Sequence, residues 1–283
     1  MLGKLGGVGV QIDTVQTWRE LDDAIADAGW CRHENHPRPT LVFRGLAKSS
    51  YTNVSSLARL EGDYAKVERH LLRNFRKYAH KAAPGPEDWD WLALGQHHGL
   101  PTRLLDWTFS PLVALHFATA SWPDDDAVLW AVDVVQAHRV LPPRLSAAMA
   151  EEGSVVFTTD LLAEHAEDLQ AFDALQAGGD PFVVFFEPPT LDDRIANQAA
   201  VLSALSDPTC QMDDWLRAHP EGCRAWHIPA SLKAEVRSRL DQAQITERML
   251  MPGLDGLASW LRRYYSPQSS ADEGSAQHEG SMA

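Results

Sequence analysis

The chain has 283 residues, 45% hydrophobic and 23% charged, an ordinary composition for a globular protein and enough length for one large domain or two small ones. A formal net charge of −14 argues against a surface that grips nucleic-acid backbone throughout. Cys31, Cys210 and Cys223 show no CxxC spacing, no apolar run nears the ~20 residues that span a bilayer, and the start lacks a signal-peptide core, so the expectation is a cytoplasmic protein without zinc site or membrane anchor.

Residues 1–13 read as a leader. Thr17-Trp-Arg-Glu20 is a capping box, a hydroxyl at the N-cap and a carboxylate three residues on, and predicts a helix from about Trp18 to Ala28. The polar, proline-containing stretch 31–39 reads as a loop. Thr40–Phe43 is a short β-type run, which places Arg44 and Gly45 at a strand end. Gly45 there allows a positive φ or a close backbone approach. From Tyr64 to His80 the spacing predicts a helix with Val67, Leu71, Leu72, Phe75 and Tyr78 on its inward side. Lys66, Arg69, His70, Arg73, Arg76, Lys77, His80 and Lys81 fall between them and give a cationic outer face. A solvated face is the plainer reading, and a local basic groove stays open as the sharper one.

The centre of the chain is the stretch from Trp91 to Ala118, where Gln96, His97, His98, Arg103 and Asp106 interrupt segments that otherwise read as buried. A helix carrying Trp91, Leu92 and Leu94 should stop at Gly99, which suits a left-handed C′ position, with Pro101 just beyond. Leu104-Leu105 and Trp107 suggest a short strand, and Ser110-Pro111 a helix start with a hydroxyl N-cap and proline at N1. Arg103 and Asp106 lie three residues apart between the two helix ends. Either they pair and staple the turn, or the loop walls a polar pocket facing a helix N-terminus, which favours anions. Arg44 has the same two readings: a partner for an internal carboxylate such as Asp106, or a clamp for phosphate or carboxylate.

Ala127–Val132 predicts an interior strand. Residues 154–158 read as a short strand, then one acidic helix to about Leu175, then a buried strand over Phe182–Phe186. Gln198 precedes the apolar run Ala199–Ala204 and either turns its amide inward or satisfies loop backbone. A helix over 208–219, a strand over Arg224–Ile228 and a helix over Ser231–Ala243 follow. Glu247–Met251 is a helical turn. A last helix, Asp255–Tyr265, presents Leu257, Trp260, Leu261 and Tyr264 inward. Residues 1–265 are expected to form one domain and 266–283 a disordered tail.

Leu41-Val-Phe-Arg-Gly45, then Gln96-His-His-Gly-Leu-Pro-Thr-Arg-Leu-Leu-Asp-Trp-Thr108 with Ser110-Pro111, resemble the FRG domain, named for its Phe-Arg-Gly motif. Arg194-Ile-Ala-Asn-Gln198 and Met251-Pro-Gly-Leu-Asp-Gly256 fit the same pattern. The family implies a bacterial or phage setting, often in defence. A more distant resemblance is to the ADP-ribosyltransferases of the arginine type. A strand ending in aromatic-Arg-Gly resembles their first motif, and the strand and Ala/Phe-rich helix over 104–118 their second. The segment from Arg194 to Gln198 sits where their catalytic Glu would fall.

That resemblance implies an α+β domain with a central, mostly antiparallel sheet flanked by helices, and NAD as the cofactor. Arg44, Asp106 and Gln198 would be the catalytic residues, with Glu187 an alternative carboxylate. Arg44, Gly45, His97, Arg103, Thr108, Ser110 and Arg194 would bind the nucleotide. The chain departs from the pattern in lacking a Ser-Thr-Ser motif and in carrying Gln198 where a Glu belongs. There are two alternatives: a nucleotide-sensing module without turnover, which uses the same pocket residues, and a nucleic-acid-processing protein, which uses the basic helix over 66–81. The macromolecular target stays open.

Overall fold

A computed structural model describes residues 10–29 and 40–266. The predicted loop over 31–39, most of the leader and the tail beyond Ser266 lie outside the described residues. Eight strands among them form one sheet: β1 (Ile12–Thr14), β2 (Leu41–Leu46), β3 (Leu105–Thr108), β4 (Ala127–Asp133), β5 (Phe157–Thr158), β6 (Val183–Glu187), β7 (Ala200–Leu205) and β8 (Cys223–Ile228). Their order is β1-β8-β4-β2-β3-β7-β6-β5. The two end pairs, β1 with β8 and β5 with β6, are parallel and every other pair is antiparallel. The fold is therefore α+β with a mostly antiparallel sheet flanked by helices.

The helices are α1 (Trp18–Asp27), α2 (Tyr64–Ala79), α3 (Asp88–His97), α4 (Pro111–Thr119), α5 (Val134–Ala137), α6 (Pro143–Glu152), α7 (Thr159–His165), α8 (Leu169–Ala174), α9 (Asp193–Asn197), α10 (Met212–Ala218), α11 (Ala230–Gln242), α12 (Glu247–Leu250) and α13 (Leu254–Tyr265). Alternation along the strands divides their side chains between two layers. On one face, α1, α4 and α11 cover Phe43, Leu129 and Trp226, while α3, α6, α7 and α8 cover Val184, Phe186 and Leu202. On the other face, α5 and α10 cover Val42, Trp107, Val183 and Phe185.

Local signals set the helix ends. Thr17 Oγ1 accepts from the Glu20 N–H at 3.2 Å, and Glu20 reaches back to the Gln16 N–H at 2.7 Å. Ser110 Oγ accepts from the Val113 N–H at 3.3 Å. Gly99 has φ +80°, the Leu100 N–H meets the Gly95 carbonyl at 2.8 Å, and the Gly99 N–H meets the Gln96 carbonyl at 3.0 Å, a Schellman ending for α3.

Four expectations are corrected. The second strand does not end at Phe43: pairing with β4 carries it through Leu46, so Arg44 and Gly45 lie inside it. α2 turns Glu68, Leu72, Phe75 and Ala79 inward, while Val67 and Tyr78 are exposed, because a buried arginine lies under the helix and draws its acid in. The single acidic helix is two, α7 and α8, since Ala166 interrupts it: its carbonyl accepts from Trp89 Nε1 at 2.8 Å, and Asp168 starts a new cap on Ala171. On α13 only Gly256 is buried; Leu261 and Tyr264 are exposed.

Candidate functional site

The site forms where the sheet ladder is interrupted. β2 and β3 are registered through one pair, Phe43 with Thr108. Beyond that pair the ladder stops and a side chain takes its place: Arg44 Nη1 donates to the Asp106 carbonyl at 2.5 Å. A cavity of about 300 Å³ opens here. Its walls include Arg44 and Gly45 of β2, Asp106 and Thr108 of β3, Gln96 and His97 of α3, and Arg194 and Gln198 around α9.

Gly45 is dictated by packing. A Cβ on it would lie 2.0 Å from the Ala114 carbonyl oxygen and 2.7 Å from the Ala118 nitrogen, so only glycine lets α4 rest on β2. It is the close approach, not a positive φ, that this position needs. α4 then presents its flank, Val113, Ala114 and Phe117, to the cavity, whereas Ser110 at its N-terminus is occupied with capping and does not line it.

Asp106 is held by a relay. The Leu104 N–H donates to Thr102 Oγ1 at 3.2 Å, and that hydroxyl donates to Gln96 Oε1 at 2.6 Å. This fixes the amide so that Gln96 Nε2 donates to Asp106 Oδ2 at 2.9 Å. The Asp106 carboxylate is thus oriented while remaining exposed.

Arg44 is held otherwise. No carboxylate pairs with it among the described residues, and its Nε is buried without a hydrogen-bond partner. Burial lowers its pKa; the nearby Asp106 charge opposes that effect. Arg194, exposed at the start of α9, likewise has no ion-pair partner among the described residues. Opposite it, His97 Nε2 lies 2.8 Å from Asp192 Oδ2. Burial pushes the Asp192 carboxyl up, but the Ile195 N–H and the His97 ring outweigh it and hold it below the usual range.

Gln198 bridges structure and site. Its Nε2 donates to the Leu250 carbonyl at 2.9 Å, and Asn197 Nδ2 donates to the Met249 carbonyl at 2.8 Å. The two amides pin α12 beside α9, and a Cβ on Gly256 would lie 1.8 Å from the Met251 carbonyl oxygen, so α13 packs tightly on that turn. Thr108 Oγ1 donates to the Gln198 carbonyl at 2.6 Å and accepts from the Ser110 N–H at 3.0 Å, so its only proton is committed to a structural bond.

Arg103 lies outside the cavity. It does not pair with Asp106; its side chain is buried against Glu68 and Asp173. Burial alone would lower its pKa, and the two carboxylates raise it instead. Of the residues singled out from sequence, Arg44, Gly45, His97, Asp106, Thr108, Arg194 and Gln198 share one cavity, and Arg103 and Ser110 do not.

The FRG domain family model matches residues 39–127. The chain carries an FRG domain. Neither a curated protein nor a solved structure matches it at a significant level. The FRG match takes in β2, α2, α3, β3 and α4, the elements that contribute Arg44, Gln96, His97 and Asp106. The wall formed by Arg194 and Gln198 lies beyond the matched residues.

Two partners around the FRG elements escaped sequence reasoning. Glu68 sits among basic residues in a helix that reads as solvated, and Asp192 lies 95 residues from His97. Only the Asp192 cap position, two residues before Arg194, carried a local signal: its Oδ1 accepts from the Ile195 N–H at 3.1 Å. Among the described residues no group of three or more His, Cys, Asp or Glu is placed to hold a metal ion.

Proposed function

We propose that the FRG domain binds an anionic, phosphate-bearing nucleotide in the cavity between β2, β3, α3, α4 and α9, with NAD as the leading candidate, and transfers ADP-ribose from it. The observation that carries this reading is the pair of guanidiniums, Arg44 and Arg194, which line one cavity with no carboxylate partner among the described residues. A desolvated guanidinium short of acceptors favours an anion, and phosphate matches its fork of donors. At about 300 Å³ the cavity is at the small end for ligand sites and suits one nucleotide moiety better than a whole dinucleotide.

The chemistry then falls to Asp106. When nicotinamide leaves with the bonding pair, positive charge develops on the ribose carbon, and a fixed carboxylate nearby stabilises it. The Thr102–Gln96 relay supplies that fixed orientation. In this reading His97, oriented by Asp192 through Nε2, takes the proton of an attacking hydroxyl or water on its other ring nitrogen. The family setting adds a role in conflict between bacteria and phages.

A second reading is a sensor without turnover. It is favoured by Gln198, which stands where the transferases carry Glu and whose amide is committed to the Leu250 carbonyl. Isothermal titration with NAD, with nicotinamide release followed in the same samples, separates the two. Arg194→Ala is the decisive variant, since that side chain is exposed and makes no ion pair among the described residues; Arg44→Ala accompanies it. Binding weakened in both variants, with nicotinamide released, is the expected result. Binding without release selects the sensor, and no binding by the unaltered protein discards the dinucleotide.

A further inference from the structure

Charge in this protein is segregated. Residues 64–81 hold six of its 25 Lys and Arg but one of its 39 Asp and Glu. That single acid, Glu68, points inward and is neutralised by Arg103. Lys66 pairs with Asp63 and Arg76 with Asp88. Arg69, Arg73, Lys77 and Lys81 have no ion-pair partner among the described residues. In a chain whose net charge is −14, an exposed face so free of acids is not what a merely solvated helix requires.

The cations are also arranged. Arg69, Arg73 and Lys77 recur every fourth residue, so they form one row along α2. At 1.5 Å per residue the row spans about 12 Å, long enough to meet successive phosphates of one extended strand. Beside it runs a groove of about 320 Å³ between α2 and the start of α8, lined by Arg69, Arg73, Arg76, Leu169 and Gln170. The two carboxylates at its edge are already engaged, Asp88 with Arg76 and Asp168 with the Ala171 N–H at 2.7 Å. Tyr78 stands 79% exposed at the end of the row, next to Lys77.

We infer that this face of α2 and its groove bind the phosphate backbone of a single-stranded nucleic acid, RNA or DNA, without reading its sequence. A cationic row beside an exposed aromatic ring is the combination that tracks a strand: the guanidiniums and ammonium replace counterions, and the ring stacks on a base. A lipid surface fits less well, because the apolar side of α2 (Leu72, Phe75, Ala79) is already packed in the core and leaves no apolar face to enter a bilayer. The site shares no residue with the cavity of Arg44 and Asp106.

The test is fluorescence anisotropy of labelled oligo(U) and oligo(dT) over a salt series, with the full chain and with Arg69→Gln/Arg73→Gln, Tyr78→Ala and Arg194→Ala. Each changed residue is solvent-exposed, and melting curves check that the fold is kept. Both oligonucleotides are expected to bind at low salt. The double variant should bind at least about tenfold more weakly, with the slope of log K against log salt reduced by roughly 1.4, that is about 0.7 for each phosphate left unneutralised. Tyr78→Ala should also weaken binding, and Arg194→Ala should not, which keeps this result apart from that of the nucleotide cavity. Preference for one oligonucleotide names the strand type. The inference is overturned if neither binds, if the double variant binds like the parent, or if Arg194→Ala abolishes binding. Binding of anionic vesicles or a poly-glutamate peptide, but of neither oligonucleotide, would overturn it in favour of those partners.

Discussion

Glu68 holds Arg103 at two points. Its Oε1 accepts from the Arg103 backbone N–H at 3.0 Å and its Oε2 from Nε at 2.8 Å, and both residues are almost wholly withdrawn from solvent. The contact ties α2 to the chain three residues before Asp106. One carboxylate thereby fixes both the basic helix and the entry to β3.

Removing one side of a buried pair leaves an uncompensated charge. Glu68→Ala should therefore cost on the order of 3–5 kcal/mol in denaturant unfolding. Glu68→Gln keeps an acceptor for one of the two N–H groups and should cost less. Equal midpoints for Glu68→Ala and the parent would show that Asp173 alone carries Arg103.

Gly45 offers a sharper steric test. A methyl group there meets backbone of α4 at 2.0 Å and 2.7 Å, and backbone cannot rotate out of the way. Gly45→Ala should force α4 off β2 and cost about 3 kcal/mol or more. The thermal midpoint should fall, and nucleotide binding should weaken with it, because Val113, Ala114 and Phe117 of α4 line the cavity. A stable Gly45→Ala protein with unchanged affinity would remove this packing account of the Phe-Arg-Gly motif.

What the sequence conveyed was what short-range chemistry decides. Thr17, Gly99 and Ser110-Pro111 mark helix ends because caps act within a few residues. The strands at 127–133 and 183–187 were legible because both their faces are covered. Long-range pairing was not legible. Nothing local tells Arg103 to choose Glu68, 35 residues back, over Asp106, three residues on. Nor does Phe43-Arg-Gly45 announce that β4 will pair with it on past the glycine. The cavity's central residues lie in one unusual stretch, and Arg194 and Gln198, singled out through the family pattern, reach them because the sheet order sets β7 beside β3. α13 misled because its apolar spacing is helical, yet Arg248 over the Trp260 ring and Arg263 with Asp241 and Glu247 hold it to the body instead of a buried stripe.

Gln198 gives a test that separates structure from chemistry. Its amide N–H meets the Leu250 carbonyl, so Gln198→Glu sets a carboxylate oxygen against a carbonyl oxygen. The variant should lose about 1–3 kcal/mol of stability and should not gain nicotinamide release, although it introduces a carboxylate at the cavity. Faster release from a protein of parental stability would contradict this and make Gln198 a lapsed catalytic position.

Acid should destabilise the protein progressively. Burial, and then the charge of Arg237, holds His116 at about 4, and its Nδ1 lies 2.9 Å from Arg237 Nη1. Burial takes His138 to about 3, and its Nε2 accepts from the Phe185 N–H at 3.0 Å. Both rings are kept neutral by the fold, so the unfolded chain binds more protons below its ordinary histidine pKa near 6.5. Their contribution is complete above about 6.5 and is lost as the pH falls, by about 4 for His116 and by about 3 for His138. Glu247 works lower. Burial would raise it, but Arg263 and Arg237 outweigh burial and hold it at about 2, so its contribution is complete above about 4.5 and drains away below that. Melting followed by circular dichroism should give a midpoint that falls from about pH 6.5, falls fastest between about pH 4.5 and 4 where all three groups take up protons, and goes on falling more gently below that as His138 and Glu247 finish, with α13 released as Glu247 lets go of Arg263. A midpoint unchanged down to about pH 4.5 would mean that neither buried histidine opposes protonation in the folded state.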